Sequence, residues 1–284
     1  MTVRDELGRA TARLADAGVA SPRFDAEELA AHVLGVSRGA LVAAGDFTSD
    51  QARRYDELVD ERARRVPLQH LTGVAGFRYL ELAVGPGVFV PRPETELLVG
   101  WGLDTVAGIE APVVVDLCTG SGAIALAVAN ERPDAVVHAI EREAHALAWA
   151  RRNADARAAA GDTPITLVQG DATAPAALTD LDGTVTLLLT NPPYVPDKAV
   201  VAPEAGEHDP GAALWGGPDG LDVVRRLIAR ASTLLKTGGW IGIEHADVQG
   251  SAVPKLLAAT GDWDDIADHL DLADRPRFTT ARRR

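Results

Sequence analysis

From Pro112 onward the chain alternates short, β-rich apolar runs with longer stretches of helical character, and that alternation restricts it to a parallel sheet joined by helical crossovers. Val113 to Leu117 opens the series, and Ala135 to Ile140, Ile165 to Gln169, Val185 to Leu189 and Trp240 to Glu244 continue it. Helical stretches around Ile124 to Asn130, Glu143 to Ala156 and Leu221 to Leu235 lie between these runs. The tail from Trp263 to Thr280 holds weaker strand candidates. Open α/β sheets bind ligands at the carboxyl ends of their strands, so the loops after these runs are the places to look for chemistry.

The residues before Pro112 follow other periods. Val3, Leu7, Ala10 and Leu14 share one helical face; Ala26, Leu29, Ala30, Val33 and Leu34 share another; Tyr55, Leu58, Val59, Arg62 and Val66 continue the period. Ser21 before Pro22 reads as an N-cap, Thr48 with Gln51 has capping-box spacing, and Gly18 and Gly35 follow periodic segments. Helices this short need one another to bury their apolar faces, so residues 1–66 are expected to form a small helical domain. Across residues 67–92, Phe77, Tyr79, Val84, Val88 and Val90 are interrupted by Gly73, Gly76, Gly85 and Gly87, which suits a β-hairpin connector. Residues 93–284 then form the α/β domain, whose first helical turn takes Glu94 and Glu96, acids that the helix dipole favours there.

Three loops of the sheet carry candidate ligand contacts. Asp116 and Leu117 are followed by Cys118, Thr119, Gly120, Ser121 and Gly122, where glycine allows close backbone approach at the start of a helix. With Cys at 118 and no third glycine at the right spacing, this is a poor dinucleotide fingerprint, and a pyrophosphate is not supported. Glu141 ends the second strand, placed to bind vicinal ribose hydroxyls through two carboxylate oxygens. Asp171, followed by Ala172, ends the third, placed to meet an adenine amino group. A nucleoside without phosphates fits such loops, and S-adenosylmethionine, leaving as S-adenosylhomocysteine, is the expected cofactor. Cys118 lies at a helix N-terminus, but nothing near it in sequence supplies a base, so it is read as packing.

Asn191-Pro192-Pro193-Tyr194 follows the fourth strand and offers an amide-shaped hydrogen-bonding pocket beside an aromatic ring. An NH2 attached to a carbonyl or an aromatic ring is a poor nucleophile, because its lone pair is delocalised; a site that methylates it must first hold it. The Asn191 side-chain oxygen and the Pro192 backbone oxygen can each accept one N–H, the prolines fix φ and add no donors, and Tyr194 can stack on the planar group. Asn191, Pro192 and Tyr194 are the expected catalytic residues, and Asn191 also borders the expected cofactor site. Transfer by in-line displacement asks for position and desolvation rather than an acid, base or metal. The seven histidines show no metal-ligand spacing.

Charge narrows the guest. A net charge of -13 and a pI near 4.9 give no global attraction to phosphates, which argues against strong non-specific nucleic-acid binding. Arg53, Arg54, Arg62, Arg64 and Arg65 are interleaved with Asp56, Glu57, Asp60 and Glu61 and read as a solvated helix face. Charges at Arg4, Asp5 and Glu6 replace the apolar run of a signal peptide, no stretch approaches a membrane span, and the single cysteine cannot form an internal disulfide. A cytoplasmic protein is expected.

Taken together, Pro67 to Gly73, Phe89 to Glu96, Asp116 to Gly122, Asn191 to Tyr194 and Gly216 to Leu221 resemble one family over nearly the whole chain. It is the family of class I S-adenosylmethionine-dependent methyltransferases that modify the glutamine side-chain nitrogen, N5, of peptide chain release factors. The resemblance implies a Rossmann-like, seven-stranded, mostly parallel sheet with a helical N-terminal substrate-recognition domain, and class 1 release factors as partners. It also implies cofactor contacts from Cys118 to Gly122, Glu141 and Asn191, with Asn191, Pro192, Pro193 and Tyr194 holding the glutamine. Three positions depart from the family: Cys118 stands where glycine is usual, Glu141 where Asp is usual, and Ala172 where an aromatic often covers the adenine. Two rivals share the pocket chemistry, a glutamine methyltransferase acting on a ribosomal protein and an adenine-N6 methyltransferase acting on nucleic acid, the latter needing a base-flipping apparatus for which the chain shows no basic surface. A non-catalytic scaffold retaining the fold is the third.

Overall fold

The computed structural model describes residues 2–284. Its helices are α1 (Val3–Asp16), α2 (Pro22–Leu34), α3 (Ser49–Ala63), α4 (Leu68–Thr72), α5 (Thr95–Thr105), α6 (Ala123–Glu131), α7 (Ala144–Ala159), α8 (Pro203–His208), α9 (Gly211–Leu214), α10 (Asp222–Leu234) and α11 (Ala252–Thr260). Its strands are β1 (Val74–Phe77), β2 (Leu80–Ala83), β3 (Val113–Leu117), β4 (Val136–Glu141), β5 (Thr166–Gln169), β6 (Val185–Thr190), β7 (Leu235–Glu244), β8 (Trp263–Leu270) and β9 (Pro276–Arg283). Packing divides the chain into two compact units, Met1–Val74 with Val201–His208, and Ala75–Val200 with Asp209–Arg284.

In the first unit the apolar stripes of α1, α2 and α3 meet in one core containing Leu7, Leu14, Leu29, Tyr55 and Leu58. The Tyr55 hydroxyl, taken out of water with its ring, donates to the Ala26 carbonyl at 3.0 Å. Thr48 and Gln51 form the expected reciprocal capping box, the Gln51 N–H reaching Thr48 Oγ1 and the Thr48 N–H reaching Gln51 Oε1. Ser21 does stand at the N-cap of α2 with Pro22 behind it, but its side chain makes no capping bond. The charged face of α3 also needs correction. Arg53, Arg54 and Arg64 are exposed as expected, whereas Arg62 is buried, with Nε donating to Asp25 at 2.7 Å and Nη2 to Glu204 at 2.9 Å; Arg65 reaches the same Glu204. Arg62 lies on the apolar side of the helical wheel, so its charge is balanced by the buried Asp25 and the half-buried Glu204 instead of water.

The second unit is built on a seven-stranded sheet in the order β5-β4-β3-β6-β7-β9-β8. The pairs β5-β4, β4-β3, β3-β6 and β6-β7 are parallel, and β9 runs antiparallel to both β7 and β8. β6 lies at the centre and is buried along its whole length, which is why its sequence reads as a continuous apolar run. From Leu187 to Leu189 alternate residues serve opposite faces, Leu187 and Leu189 joining the core under α5 and α6 and Leu188 the core under α10 and α11; Val185, before the register irregularity, also joins the latter. The tail candidates become β8 and β9. β7 begins at Leu235, earlier than the expected Trp240, because Gly238 and Gly239 hide the strand pattern where the register with β6 shifts. β1 and β2 pair as a separate two-stranded ribbon, as the glycine-punctuated segment predicts. No helix among the described residues is long and apolar enough to cross a membrane.

Candidate active site

β3 delivers the chain into a tight loop. Asp116, fully buried near the end of the strand, accepts from the Thr119 hydroxyl at 2.5 Å and from the Ala125 N–H at 3.2 Å, so one carboxylate oxygen ties the loop to the first turn of α6. Burial pushes this carboxyl up to about 7, against the pull of those two donors. Cys118 adopts φ of 65°, a left-handed conformation that costs a side-chain-bearing residue and suits glycine, which is why the departure from glycine there matters. Its thiol is raised by burial and by the Glu141 and Asp116 charges, which leaves it protonated and in a packing role. From the far side, the buried Asn153 donates through Nδ2 to the Ser121 carbonyl at 2.9 Å and to the Ala83 carbonyl at 3.0 Å, and accepts the Ala83 N–H, fixing the loop against β2.

The acids at the next two strand ends take the positions expected of them. Glu141 at the end of β4 accepts the Gly120 N–H on one oxygen and the Glu143 N–H on the other, both at 2.9 Å. These bonds orient the carboxylate, and each oxygen keeps a lone pair for another donor. Asp171, beyond β5, accepts from both the N–H and the hydroxyl of Thr173, and those hydrogen bonds lower its pKa. Ala172 beside it is buried and belongs to the same core as Leu117, Ile140 and Leu221.

Asn191 to Tyr194 leaves β6 held from two sides. On one side lies a short hydrogen-bonded chain: Asn191 Nδ2 donates to Thr95 Oγ1 at 3.2 Å, Thr95 Oγ1 donates to Glu244 Oε2 at 2.6 Å, and the Tyr194 hydroxyl donates to Glu244 Oε1 at 3.1 Å. Glu244 ends β7 at 1% exposure, and burial pushes its carboxyl up to about 7. On the other side is backbone. Val195 N–H donates to the Leu214 carbonyl, Gly216 N–H to Val195 and Asp197 N–H to Gly217. Gln249 Nε2 donates to the carbonyls of Tyr194 and Asp219. A Cβ at Gly220 would stand 2.2 Å from the Tyr194 oxygen and one at Gly216 2.7 Å from the Pro193 oxygen, so the glycines of the Gly216 to Leu221 segment are required by this close approach.

These loops enclose a cavity of about 400 Å³, large enough for a small organic ligand. Cys118, Thr119, Gly120, Ser121, Glu141, Asp171, Ala172, Asn191, Pro193 and Tyr194 all line it. Gly122 and Pro192 do not: Gly122 sits behind the loop, where a Cβ would meet Leu126, and Pro192 is buried. The wall also includes Phe77, Phe89, Thr95, Arg142, Leu214 and Trp215, none of which the sequence reading selected as site residues. Glu244 was legible only as an acid closing an apolar strand, the same signal that marked Glu141. Thr95 was hidden between acids assigned to the helix dipole. The site fits a nucleoside carrying a cationic sulfur: two strand-end carboxylates can accept from ribose hydroxyls and an amino group, and the loop leaves open space at Gly120, where nothing lies within 4 Å of a Cβ position.

Comparison with known proteins bears on which chemistry this cavity serves. Residues 6–73 match the family described as PrmC N-terminal domain, and residues 94–206 the methyltransferase small domain. The chain is 54% identical over 282 residues to a release factor glutamine methyltransferase of Streptomyces coelicolor, covering 98% of this chain and 97% of that protein. It is 47% identical over 281 residues to one of Mycolicibacterium smegmatis, covering 99% and 98%. Among solved structures, a T. thermophilus 16S rRNA methyltransferase in complex with AdoMet and guanosine superposes with a TM-score of 0.53 at 20% identity, over 74% of this chain and 50% of that one, a likeness of fold. With matches of this identity running end to end, the chain belongs to the release factor glutamine methyltransferase family.

Proposed function

We propose that the protein transfers a methyl group from S-adenosylmethionine to the side-chain amide nitrogen, N5, of a glutamine in class 1 peptide chain release factors, supporting translation termination. The observation that carries this reading is the oriented amide of Asn191 on the wall of the cavity. One N–H of its NH2 is donated to Thr95, which turns Oδ1 the other way as an acceptor. In this reading Oδ1 accepts one N–H of the substrate amide, while the Tyr194 ring, anchored by its hydroxyl, stacks on the amide plane. The hydrogen bond fixes one edge of the amide and the stacked ring fixes its plane, so the nitrogen is held in one orientation for attack. The cofactor, held by the Cys118 to Ser121 loop, Glu141 and Asp171, supplies a methyl group on a cationic sulfur. The attacked nitrogen carries the positive charge once alkylated and is then strongly acidic, so it releases one of its two protons to water and no side chain needs to act as base.

The helical residues 1–66 serve in this reading as the element that selects the protein partner, and the chain works in the cytoplasm, where release factors act. A ribosomal-protein glutamine would fit the same pocket. The test is to incubate the protein with methyl-labelled S-adenosylmethionine and, separately, a class 1 release factor, a ribosomal-protein mixture and DNA. Label on a release-factor glutamine is expected; label on the ribosomal proteins or the DNA with none on the release factor overturns the assignment.

A further inference from the structure

We propose that Glu244 is a positioning residue that sets which face of the Asn191 amide meets the substrate, acting through the Thr95 hydroxyl. This rests on the methyl-transfer reading above and adds to it the group that makes Asn191 an acceptor. An asparagine amide presents oxygen and NH2 with nearly equal shape, so only its neighbours decide its orientation. Here the order of donors decides it. Glu244, as a carboxylate, has no proton to give and draws the single Thr95 hydroxyl proton to Oε2 at 2.6 Å. Thr95 is then left with lone pairs alone toward Asn191, and the amide must answer with Nδ2, as it does at 3.2 Å. Oδ1 is thereby committed to the opposite side. The second Glu244 oxygen takes the Tyr194 hydroxyl proton at 3.1 Å, so one buried carboxylate holds both the hydrogen-bonding and the stacking residue of the pocket.

The order reverses when Glu244 is protonated. Its O–H becomes a donor to Thr95, whose hydroxyl can then donate to Asn191 Oδ1, and the amide turns its NH2 toward the substrate NH2, donor against donor. The groups facing Glu244 are Thr95 and Glu94 from the start of α5, Tyr194 from the loop after β6, and Arg277 from β9; Arg277 favours the charged form and Glu94 opposes it. The protein spends a fully buried acid here where a glutamine of equal size would fill the same space, and a Gln could accept only one of the two hydroxyl protons.

The experiment measures kcat and KM across pH for the intact protein with a release-factor substrate, together with calorimetric affinity for S-adenosylmethionine. In the wild type kcat should fall as pH drops through about 7, where the Glu244 carboxylate takes up its proton. Glu244→Gln should lose kcat roughly 100-fold and lose that acidic limb. Thr95→Val should lose a similar factor and Thr95→Ser should recover most of it, with cofactor affinity unchanged in all three as the control for folding. The inference is overturned if Thr95→Val keeps wild-type kcat, or if Glu244→Gln keeps the acidic limb. A wild type that labels no glutamine would instead sink the reading beneath it. Should Glu244→Gln fail to fold, the Thr95 pair decides alone.

Discussion

Replacing Gly220 by alanine tests whether the Gly216 to Leu221 segment is the template for the substrate loop. Gly220 has φ of 77°, and a Cβ there would stand 2.2 Å from the Tyr194 carbonyl oxygen, 2.7 Å from Gln249 Nε2 and 3.0 Å from Pro196 N. An ordinary contact begins near 3.4 Å, so the Tyr194 carbonyl must move by 3.4 − 2.2 = 1.2 Å, and the Gln249 amide that holds it must move as well. The left-handed backbone adds about 1–2 kcal/mol of strain. Strain alone lowers Tm by roughly 2–8 °C in a body of this size. The displacement acts on rate, because a shift of about 1 Å in a positioning loop costs roughly 100-fold. Gly35→Ala is the control: its φ is 67° and nothing lies within 4 Å, so it carries the same backbone strain with no displacement near the cavity. The assay is thermal unfolding followed by kcat at a temperature where both variants are folded. We expect both to lose stability and only Gly220→Ala to lose rate. A Gly220→Ala enzyme within twofold of wild-type kcat would refute the template role.

Other expectations follow from single contacts. Asn191→Ala should lower kcat at least roughly 100-fold with Tm nearly unchanged, since the side chain is part-buried on the cavity wall and its one bond is to Thr95; full activity would refute its role as acceptor. Glu141→Gln replaces one carboxylate oxygen by an NH2 that cannot accept from the Gly120 or Glu143 N–H, and removes the charge. Losing a charged hydrogen bond is worth about 1.5–3 kcal/mol, so titration calorimetry should find S-adenosylmethionine affinity reduced roughly 10- to 100-fold, and wild-type affinity would refute the ribose role. Arg62→Met leaves Asp25 buried without its cation, and urea unfolding should report a loss of about 3–5 kcal/mol; a loss below 1 kcal/mol would show that water reaches Asp25. Burial alone would raise the Glu204 carboxyl, but the Arg65 and Arg62 guanidiniums hold it down at about 2. A depressed carboxylate stabilises the fold above its unfolded pKa near 4.5, and that stability drains away as pH falls toward 2. Acid titration of thermal stability should therefore show a steeper loss below pH 4.5 in the wild type than in Glu204→Gln.

How much of this was legible in the sequence depends on the range of the interaction involved. Strand and helix positions in the sheet could be read because burial on both faces leaves a local signature, the continuous apolar run of β6 being the clearest. β7 lost its first residues to that reading because glycines carry no side-chain pattern. The strand-end acids Glu141 and Asp171 could be placed because a parallel sheet puts all its carboxyl ends at one edge, so position along the chain fixes position in space. Arg62 was misread as solvated since a charged residue on an apolar stripe is explained only by Asp25 and Glu204, one 37 and the other 142 residues away.

By itself the sequence determined the sheet, the loops that border the cavity and the family to which the chain belongs, because each of these is written in short-range pattern and motif. Which way the Asn191 amide points was decided by tertiary structure alone. Thr95 and Glu244 meet it from 96 residues upstream and, through Thr95, from the end of β7, joined only when α5 packs across the sheet. A hydrogen bond has a direction, and that direction is set by where the proton donors and acceptors lie in space; no local pattern along the chain encodes it.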